Sequence, residues 1–394
     1  MPTYTLTDTA HDLWVESFTL RAHDLGPATV PWSVSKRTLR GGRRDGVDLI
    51  EVNNGVFTFS IVPTRGMGIW KGHIKGLDVG WRSPVTDGPV NPAFVNVMNW
   101  GGLGWLEGFD ELLARCGLEN NGAPFTQGNT TFGLHGKIAN IPAHYVAVHV
   151  GDDPSGPIAV EGHVDESKLF STQIRMATTI TTAPGSNRLT VRDEFRNLSD
   201  LPQEMQILYH WNFGPPLLEE GGQFVAPART IVPRDARAVE GIEHFDVYGP
   251  PESGFAEQVY YYDLLAKPGM GLAGPNLQAT LVMLRDREGE HGVVLRFDRL
   301  SLPAFSLWKN TAGHQSGYVT GLEPGTNYPN PRPFEKERGR VVTLPPEGTH
   351  VAEMTLDILT TRAAVAAAEA EIRELQKQAA PVVHKQPIEP FTKA

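Results

Sequence analysis

The chain is poor in cysteine: Cys116 is the sole cysteine among 394 residues. One thiol cannot close an internal disulfide, which favours a reducing compartment. No apolar stretch approaches the ~20 residues that a membrane helix needs. Residues 1–20 hold no Lys or Arg, unlike a secretory signal. We therefore expect a cytoplasmic protein that has no membrane partner.

Basic clusters and nucleotide motifs are also missing. The sequence has 35 Lys and Arg against 45 Asp and Glu, a formal net charge of −10, so a nucleic-acid partner is not expected. It has no Walker loop, no GxGxxG between a predicted strand and a helix, and no CxxC, HExxH or GxSxG motif. These absences argue against nucleotide-dependent enzymes and common hydrolases, and they favour a neutral or polar small-molecule ligand.

The chain is instead rich in turn formers, with 41 Gly and 31 Pro, and in segments where apolar residues recur at every second position. Such segments are typical of strands. The clearest are Val56–Val62, Tyr145–Val150, Gln173–Thr182, Arg188–Asn197, Val293–Phe297 and Ala352–Leu359. Because few helical patterns separate them, the sequence predicts an all-β protein with one large antiparallel β-sandwich domain over residues 1–360.

Helical patterns are rare. At the C-terminus, apolar residues recur at alternating spacings of three and four, which predicts a helix over residues 361–380 and an extended tail over 381–394. The stripe consists of Val365, Ala368, Ile372, Leu375 and Ala379. It has to be buried either on the sandwich or against another subunit, which would give a homo-oligomer. A second, short helix is expected over Trp105–Leu113.

His210 lies in an unusual segment, after an apolar run and before Trp211 and Asn212. In a strand, His210 and Asn212 share one face and the aromatic residues occupy the other. Such a polar face can line a ligand site, and histidine titrates near neutral pH, so His210 can donate or accept a proton. It can equally be a core histidine bonded to a backbone carbonyl.

Two further titratable residues have distinctive neighbours. His135 precedes Gly136, and glycine there allows close approach of the backbone to a ligand or simply marks a turn. Glu323 precedes Pro324, which cannot donate to a ladder, so we expect a strand to end at Glu323, at a pocket rim or on the surface. The three residues His135, His210 and Glu323 could bind a metal, but their spacing neither supports nor excludes this.

Two arginines and a tryptophan complete the set of candidates. Arg65 and Arg115 lie in apolar surroundings and need partners. These partners could be substrate hydroxyls or a carboxylate, or Asp110 and Glu111 in a structural role. Trp308 could stack on a sugar ring or belong to the core.

Taken in order, six segments resemble the aldose 1-epimerase (galactose mutarotase-like) superfamily, and within it a largely uncharacterised epimerase-like branch. They cover most of residues 50–330. The segments are Val62–Met67, Gly80–Pro84, Cys116–Asn120, Gly133–Asn140, Leu208–Gly214 and Gly321–Asn327. The resemblance implies a large twisted antiparallel β-supersandwich with the ligand on a concave face.

The resemblance also implies roles. His210 would be the general acid, Glu323 the general base, and His135 a substrate-orienting or second acid residue. Together with the strand face and the stacking candidate, it gives as substrate-binding residues Arg65, Arg115, Lys137, Asn212, Glu257 and Trp308. The implied reaction is anomeric interconversion of an aldose or an acidic sugar, which requires no cofactor and no resident metal.

Other functions use the same residues. Proton abstraction next to a carbonyl would give a sugar isomerase, a non-anomeric epimerase or a lyase, and a divalent metal would favour that reaction. The sandwich could also be a sugar-binding module without turnover.

Overall fold

The computed structural model describes residues 2–271 and 274–393. Over these residues the chain is mainly β-structure. The strands in chain order are β1 Thr3–Asp8, β2 Leu13–Trp14, β3 Phe18–Arg21, β4 Ser33–Thr38, β5 Asp48–Asn53, β6 Phe57–Val62, β7 Gly68–Ile74, β8 Leu77–Val79, β9 Leu113–Leu118, β10 Phe125–Gln127, β11 Thr130–Phe132, β12 Tyr145–Val150, β13 Ile158–Ser167, β14 Gln173–Thr182, β15 Arg188–Asn197, β16 Gln203–Phe213, β17 Gln223–Val225, β18 Ala228–Pro233, β19 Gln258–Leu264, β20 Lys267–Gly271, β21 Gly274–Arg285, β22 Gly292–Asp298, β23 Ala304–Thr311, β24 Tyr318–Gly325, β25 Val342–Leu344, β26 Thr349–Leu359 and β27 Val382–Val383. The α-helices are α1 Asn99–Gly102, α2 Ala236–Glu240, α3 Arg332–Glu337 and α4 Arg362–Gln376.

Within the described ranges, the strands form two large sheets and one separate hairpin, β10–β11. The first sheet runs β17-β21-β22-β26-β15-β14-β13-β12-β1-β2, and β20 pairs with β21. The second runs β27-β18-β19-β23-β24-β16-β9-β7-β6-β5-β4-β3, with β25 on β16 and β8 on β7. The strand pairs are antiparallel apart from β18 and β27. The expected all-β antiparallel supersandwich with a C-terminal helix is confirmed.

The core lies between the two sheets, because alternate residues of each strand point inwards. In β14 and β15, for example, Ile174, Met176 and Ile180 face Val191 and its neighbours in one buried cluster, as the alternating pattern predicts. A contact across the core joins the layers: the Trp211 indole N–H of β16 lies 3.1 Å from the sulfur of Met354 in β26. The strand that carries His210 is therefore fixed from behind by the core.

Thr361 caps the start of the C-terminal helix α4, because its side-chain oxygen accepts from the Ala364 N–H. Its apolar stripe is buried against the outer face of the first sheet. The stripe residues Val365, Ala368, Ile372 and Leu375 contact a cluster that includes Leu281, Met283 and Val294. The stripe that suggested a subunit contact is thus covered by the chain's own sheet.

The short helix expected over Trp105–Leu113 is wrong. Residues Gly104–Gly108 form a 3-10 turn, and Leu113 already begins strand β9. In the preceding four-residue element α1, Trp100 and Gly101 have positive φ angles of 53° and 68°, so α1 is a distorted turn and not a regular α-helix that could extend forwards. This segment is therefore an irregular loop that leads into β9.

After α4, the tail returns across the sandwich instead of leaving it. Val382–Val383 pairs with β18, and the Phe391 ring packs on Tyr328 with the centroids 5.4 Å apart. The ends of the predicted ranges, residues 1 and 394, lie outside the described residues. None of the helices in the described part of the chain is long and apolar enough to cross a bilayer.

Candidate active site

The centre of the second sheet presents one row of side chains away from the core. The register pairs His210 with Ala114, Ser306 with Glu323, and Tyr261 with Ser306. Leu208 pairs with Gly325 and Trp211 with Leu322, so His210 stands opposite Glu323. The row consists of Ala114, His210, Glu323, Ser306 and Tyr261, and it defines the floor of the site.

His210 and Glu323 touch at the middle of this row. Nε2 of His210 lies 3.1 Å from Oε1 of Glu323, and the two residues are only 4% and 3% exposed. The contact is not aligned as a hydrogen bond, and Oε1 has no hydrogen-bond partner among the described residues. Gly321 provides the room, since a Cβ there would lie 2.5 Å from Oε1 and 2.9 Å from Cε1 of His210.

Asn212 determines which ring nitrogen of His210 carries the proton. The Asn212 amide N–H₂ donates to the carbonyl oxygens of Glu111 and His210, so its Oδ1 must face His210. Nδ1 of His210 lies 2.6 Å from that oxygen and therefore donates to it. In the neutral ring, Nε2 is then unprotonated and presents its lone pair to Glu323.

Burial shifts both members of the pair towards their neutral forms. Burial, and then the charge of Glu257, raise the pKa of Glu323 well above its usual range. Burial, and then the neighbouring His135, hold the pKa of His210 well below its usual range. Removal from water disfavours the charged form of each group, so burial favours a neutral carboxyl on Glu323 beside a neutral imidazole on His210.

His135 stands beside this pair, with its ring centroid 5.6 Å from that of His210. Its Nδ1 donates to the Asn121 carbonyl at 2.8 Å, which leaves Nε2 as an acceptor. Although part of its surface is open, burial lowers its pKa to about 4. His135 has a positive φ of 59°, and a Cβ on Gly136 would collide with the Gly117 and Asn120 carbonyls. A tight turn thus fixes a neutral imidazole at the site.

The mouth of the site is formed by Trp308, Glu257 and Arg234. The Trp308 ring lies 5.3 Å from that of His210, and its indole N–H donates to Glu257 at 2.6 Å. The other oxygen of Glu257 accepts from Arg234 at 2.9 Å. Glu257 is 46% and Arg234 31% exposed in their side chains, so the cluster extends from the buried pair to solvent.

Aromatic rings form the remaining wall. Trp105 lies 4.7 Å from His135 and 6.1 Å from His210 between ring centroids. Phe109 packs edge-on against His210 at 5.0 Å. These rings come from the irregular loop that precedes β9, and they exclude water from the pair. Trp105 Nε1 is buried without a hydrogen-bond partner in the described part of the chain.

Arg65, Arg115 and Lys137, which the sequence analysis offered as substrate-binding residues, do not join this cluster. Arg115 lies on the core face of β9 and forms a two-bond ion pair with Asp193 of the opposite sheet, at 2.6 and 2.9 Å. Arg65 is 1% exposed and pairs with Glu111. Strand alternation explains the placement of Arg115, because its neighbours Ala114 and Cys116 face the site side instead.

Lys137 is exposed, and the carboxylate on which its charge acts is Glu166 of β13 in the first sheet. It therefore lies at the margin between the sheets. The remaining predicted residues, His135, His210, Asn212, Glu257, Trp308 and Glu323, come together in one cluster.

Sequence reasoning missed Arg234 and Ser306 and placed the end of one strand too early. Arg234 directly follows strand β18, the same strand-end position that drew attention to Glu323. Strand β24 continues to Gly325, past Pro324. The ladder to β16 pairs neither Tyr209 nor His210, so the missing N–H of Pro324 falls where no ladder bond is made.

Metal binding finds no support in this geometry. Over the described residues, no three His, Cys, Asp or Glu side chains are arranged to hold a metal ion. In His135 and His210 a protein acceptor occupies Nδ1, which leaves Nε2 of each ring for other contacts.

A separate apolar cavity of about 270 Å³ lies between α4 and the first sheet. Its lining includes Phe297, Met354 and Leu375, together with ion-paired side chains, and no histidine. It lacks an acid–base pair, so it is not the candidate active site.

Comparisons with known proteins agree with this fold. A family model described as a domain of unknown function, DUF4432, matches residues 44–358. Curated protein sequences give no match. A candidate aldose 1-epimerase from Klebsiella pneumoniae is similar in structure, with 34% identity, 98% of this chain and 99% of that chain covered, and a TM-score of 0.94.

More distant structures share the fold alone. A galactose mutarotase-like protein from Clostridium acetobutylicum has 14% identity over 88% of this chain and 99% of its own, with a TM-score of 0.54. A galactose 1-epimerase from Lactobacillus acidophilus has 11% identity over 87% and 98%, with a TM-score of 0.50. The chain therefore belongs to the DUF4432 family, and its fold is that of the galactose mutarotase-like carbohydrate epimerases.

Proposed function

We propose that the protein interconverts the anomers of a reducing sugar, with Glu323 as general base and His210 as general acid. The observation that carries the proposal is the contact between Nε2 of His210 and Oε1 of Glu323 at 3.1 Å, in which Asn212 fixes the tautomer. A carboxyl and an imidazole that share one proton, buried on a sheet face, form an acid–base pair.

The His210–Glu323 pair can supply and receive the protons that this reaction requires. Transfer of the proton from Glu323 to Nε2 of His210 gives a carboxylate and an imidazolium without a change in the total charge of the site. Glu323 then takes the proton of the anomeric hydroxyl while His210 protonates the ring oxygen. The bond between C1 and the ring oxygen breaks as the C1 carbonyl forms.

Reversal of these steps completes the exchange. The aldehyde rotates about its C1–C2 bond, and the ring closes on the other face as both protons return. Nε2 of His135 accepts a bond from a neighbouring hydroxyl, and Trp308 offers a ring face to the sugar. All protons come from the sugar and the pair, so the proposed reaction needs no cofactor.

The test is the rate of anomer exchange, measured by polarimetry and by NMR on a panel of reducing hexoses and pentoses. Glu323→Gln and His210→Asn should each lower the rate by roughly 10²–10⁴-fold, the usual contribution of a positioned acid or base. Glu290→Gln, an exposed carboxylate paired with Arg362, is the matched control. Exchange that persists undiminished in both site variants would exclude these roles.

A further inference from the structure

At the mouth of the site, the positive charge of Arg234 is neutralised by two carboxylates. Arg234 donates from Nε to Asp235 at 2.8 Å and from Nη2 to Glu257 at 2.9 Å. Asp235 is itself held in place, since it accepts from the Ala238 N–H at the start of α2. The guanidinium therefore faces the site already paired with two carboxylates.

The charges of Arg234 and Glu257 both influence the buried His135 and Glu323. Arg234 lowers, and Glu257 raises, the pKa of His135 and of Glu323, although burial dominates in each case. The charge of Glu257 is fixed in position, because its second oxygen accepts from the Trp308 indole. A negative charge thus stands next to the ring on which a ligand would rest.

Other positively charged side chains do not offset the negative charge of Glu257. In the described part of the chain, Arg65 forms an ion pair with Glu111, and Arg115 forms an ion pair with Asp193. Lys137 acts on Glu166. Arg82 is exposed and lines a different cavity, with Lys71 and His73. Among the described residues, an anionic substituent on a ligand would therefore find no unpaired positive charge at the cluster.

Hydrogen-bond acceptors, by contrast, are plentiful. Nε2 of His135 is an acceptor, Oγ of Ser306 is buried without a partner in the described part of the chain, and Glu257 keeps a half-exposed carboxylate. Unsatisfied buried acceptors are costly unless a ligand donates to them. Sugar hydroxyls can donate such hydrogen bonds, whereas an ionised carboxylate can only accept them.

We propose that Glu257 is a specificity-determining residue, which neutralises Arg234 beside Trp308 and so makes the site select neutral, hydroxyl-rich sugars over sugars that carry a carboxylate. This inference rests on the proposed function for the identity of the ligand as a sugar. It predicts that removal of one charge, without loss of shape, changes the selectivity.

The experiment compares hexoses with the uronates that differ from them only at C6: D-glucose with D-glucuronate, D-galactose with D-galacturonate, and D-mannose with D-mannuronate. Binding is measured by saturation-transfer NMR titration, which does not require turnover, and anomer exchange is measured separately. The variants are Glu257→Gln, which retains an acceptor for the Trp308 indole, the double variant Arg234→Gln/Glu257→Gln, and Glu290→Gln as control.

Wild type and the control should bind hexoses in preference to uronates. Glu257→Gln should raise the uronate-to-hexose affinity ratio by about threefold to tenfold, the effect of one partly exposed charge, and the double variant should reverse that rise. A wild-type preference for uronates, or a ratio unchanged in Glu257→Gln, overturns the inference alone. Absence of binding to any hexose overturns it together with the proposed function. Binding with the expected ratios but without anomer exchange supports the inference and contradicts only the proposed reaction.

Discussion

Oδ1 of Asn212 accepts a hydrogen bond from Nδ1 of His210 at 2.6 Å, two residues away on the same face of one strand. The Asn212 amide nitrogen is bound to two backbone carbonyls, so the amide cannot turn over without the loss of both bonds. Asn212 is therefore a positioning residue, which keeps the reactive lone pair of His210 on Nε2, towards Glu323.

Replacement of Asn212 should accordingly impair the chemistry more than the binding. In Asn212→Ala the imidazole can take either tautomer and can rotate, and we expect kcat to fall by about tenfold to a hundredfold with KM little changed. The pH–rate profile should also shift, because loss of the Nδ1 bond removes an interaction that raises the pKa of His210. Asn310→Ala is the control, since Asn310 on β23 donates only to the Gly317 carbonyl. An equal loss in both variants would indicate a general packing effect.

Gly321 gives a steric test of the same pair. A Cβ at this position would meet Oε1 of Glu323 at 2.5 Å and Cε1 of His210 at 2.9 Å. We expect Gly321→Ala to separate the two groups, to lower anomer exchange by roughly 10²-fold, and to cost only about 1–3 kcal/mol of stability. In Gly313→Ala, where a Cβ meets no atom within 4 Å, the rate should remain at the wild-type value. The measurements are exchange rate and thermal unfolding, and full activity of Gly321→Ala would refute the importance of the contact.

The ion pair between Arg115 and Asp193 should be a determinant of stability. Both side chains are fully buried, so removal of one partner leaves an uncompensated charge between the sheets. We expect Asp193→Asn to lower the free energy of unfolding by about 3–5 kcal/mol, measured by urea titration. The partly exposed two-bond pair of Arg175 and Asp165 is the comparison, and Asp165→Asn should cost only about 0–1 kcal/mol. Similar losses in the two variants would contradict this account.

The lowered pKa of His135 should make the free energy of unfolding depend on pH. Its pKa is about 4 in the folded chain against 6.5 for an unperturbed histidine, so between these values the unfolded state binds a proton that the folded state does not. The contribution of His135 to stability is therefore complete above pH ~6.5 and declines as the pH falls towards 4. His135→Gln should flatten the unfolding free energy across this window, as measured by chemical denaturation at several pH values. An identical slope in the variant would show that His135 titrates normally.

The sequence predicted the strands well, and the site in part, for a shared physical reason. Alternation in a strand places His210 and Asn212 on one face wherever the strand lies in the sheet, and the structure confirms that placement. Local alternation also predicted the buried positions of Gln173–Thr182. Local pattern is sufficient when the answer depends on the backbone period alone.

Long-range partners could not be predicted in this way. The partner of Arg115 is Asp193, 78 positions later, and no local feature marks that carboxylate. Arg234 and Glu257 meet at Trp308 because β18, β19 and β23 are neighbours in the sheet, and a sequence without its topology contains no such information. The loop Gly104–Gly108 was mistaken for part of a helix because the left-handed angles before it are not visible in its composition.

The pairing of Val382–Val383 with β18 has a consequence for how the protein behaves in solution. Strand β18 would otherwise be the last strand at one end of the second sheet, with a row of unpaired peptide groups able to recruit a strand from another molecule. The chain's own C-terminal segment covers that edge with a two-residue parallel pairing. Farther along, the Phe391 carbonyl accepts a hydrogen bond from the Asn330 amide, which holds the segment in place. A chain shortened before residue 382 should lose this protection against aggregation, and a bulky fusion placed directly after Phe391 should weaken it.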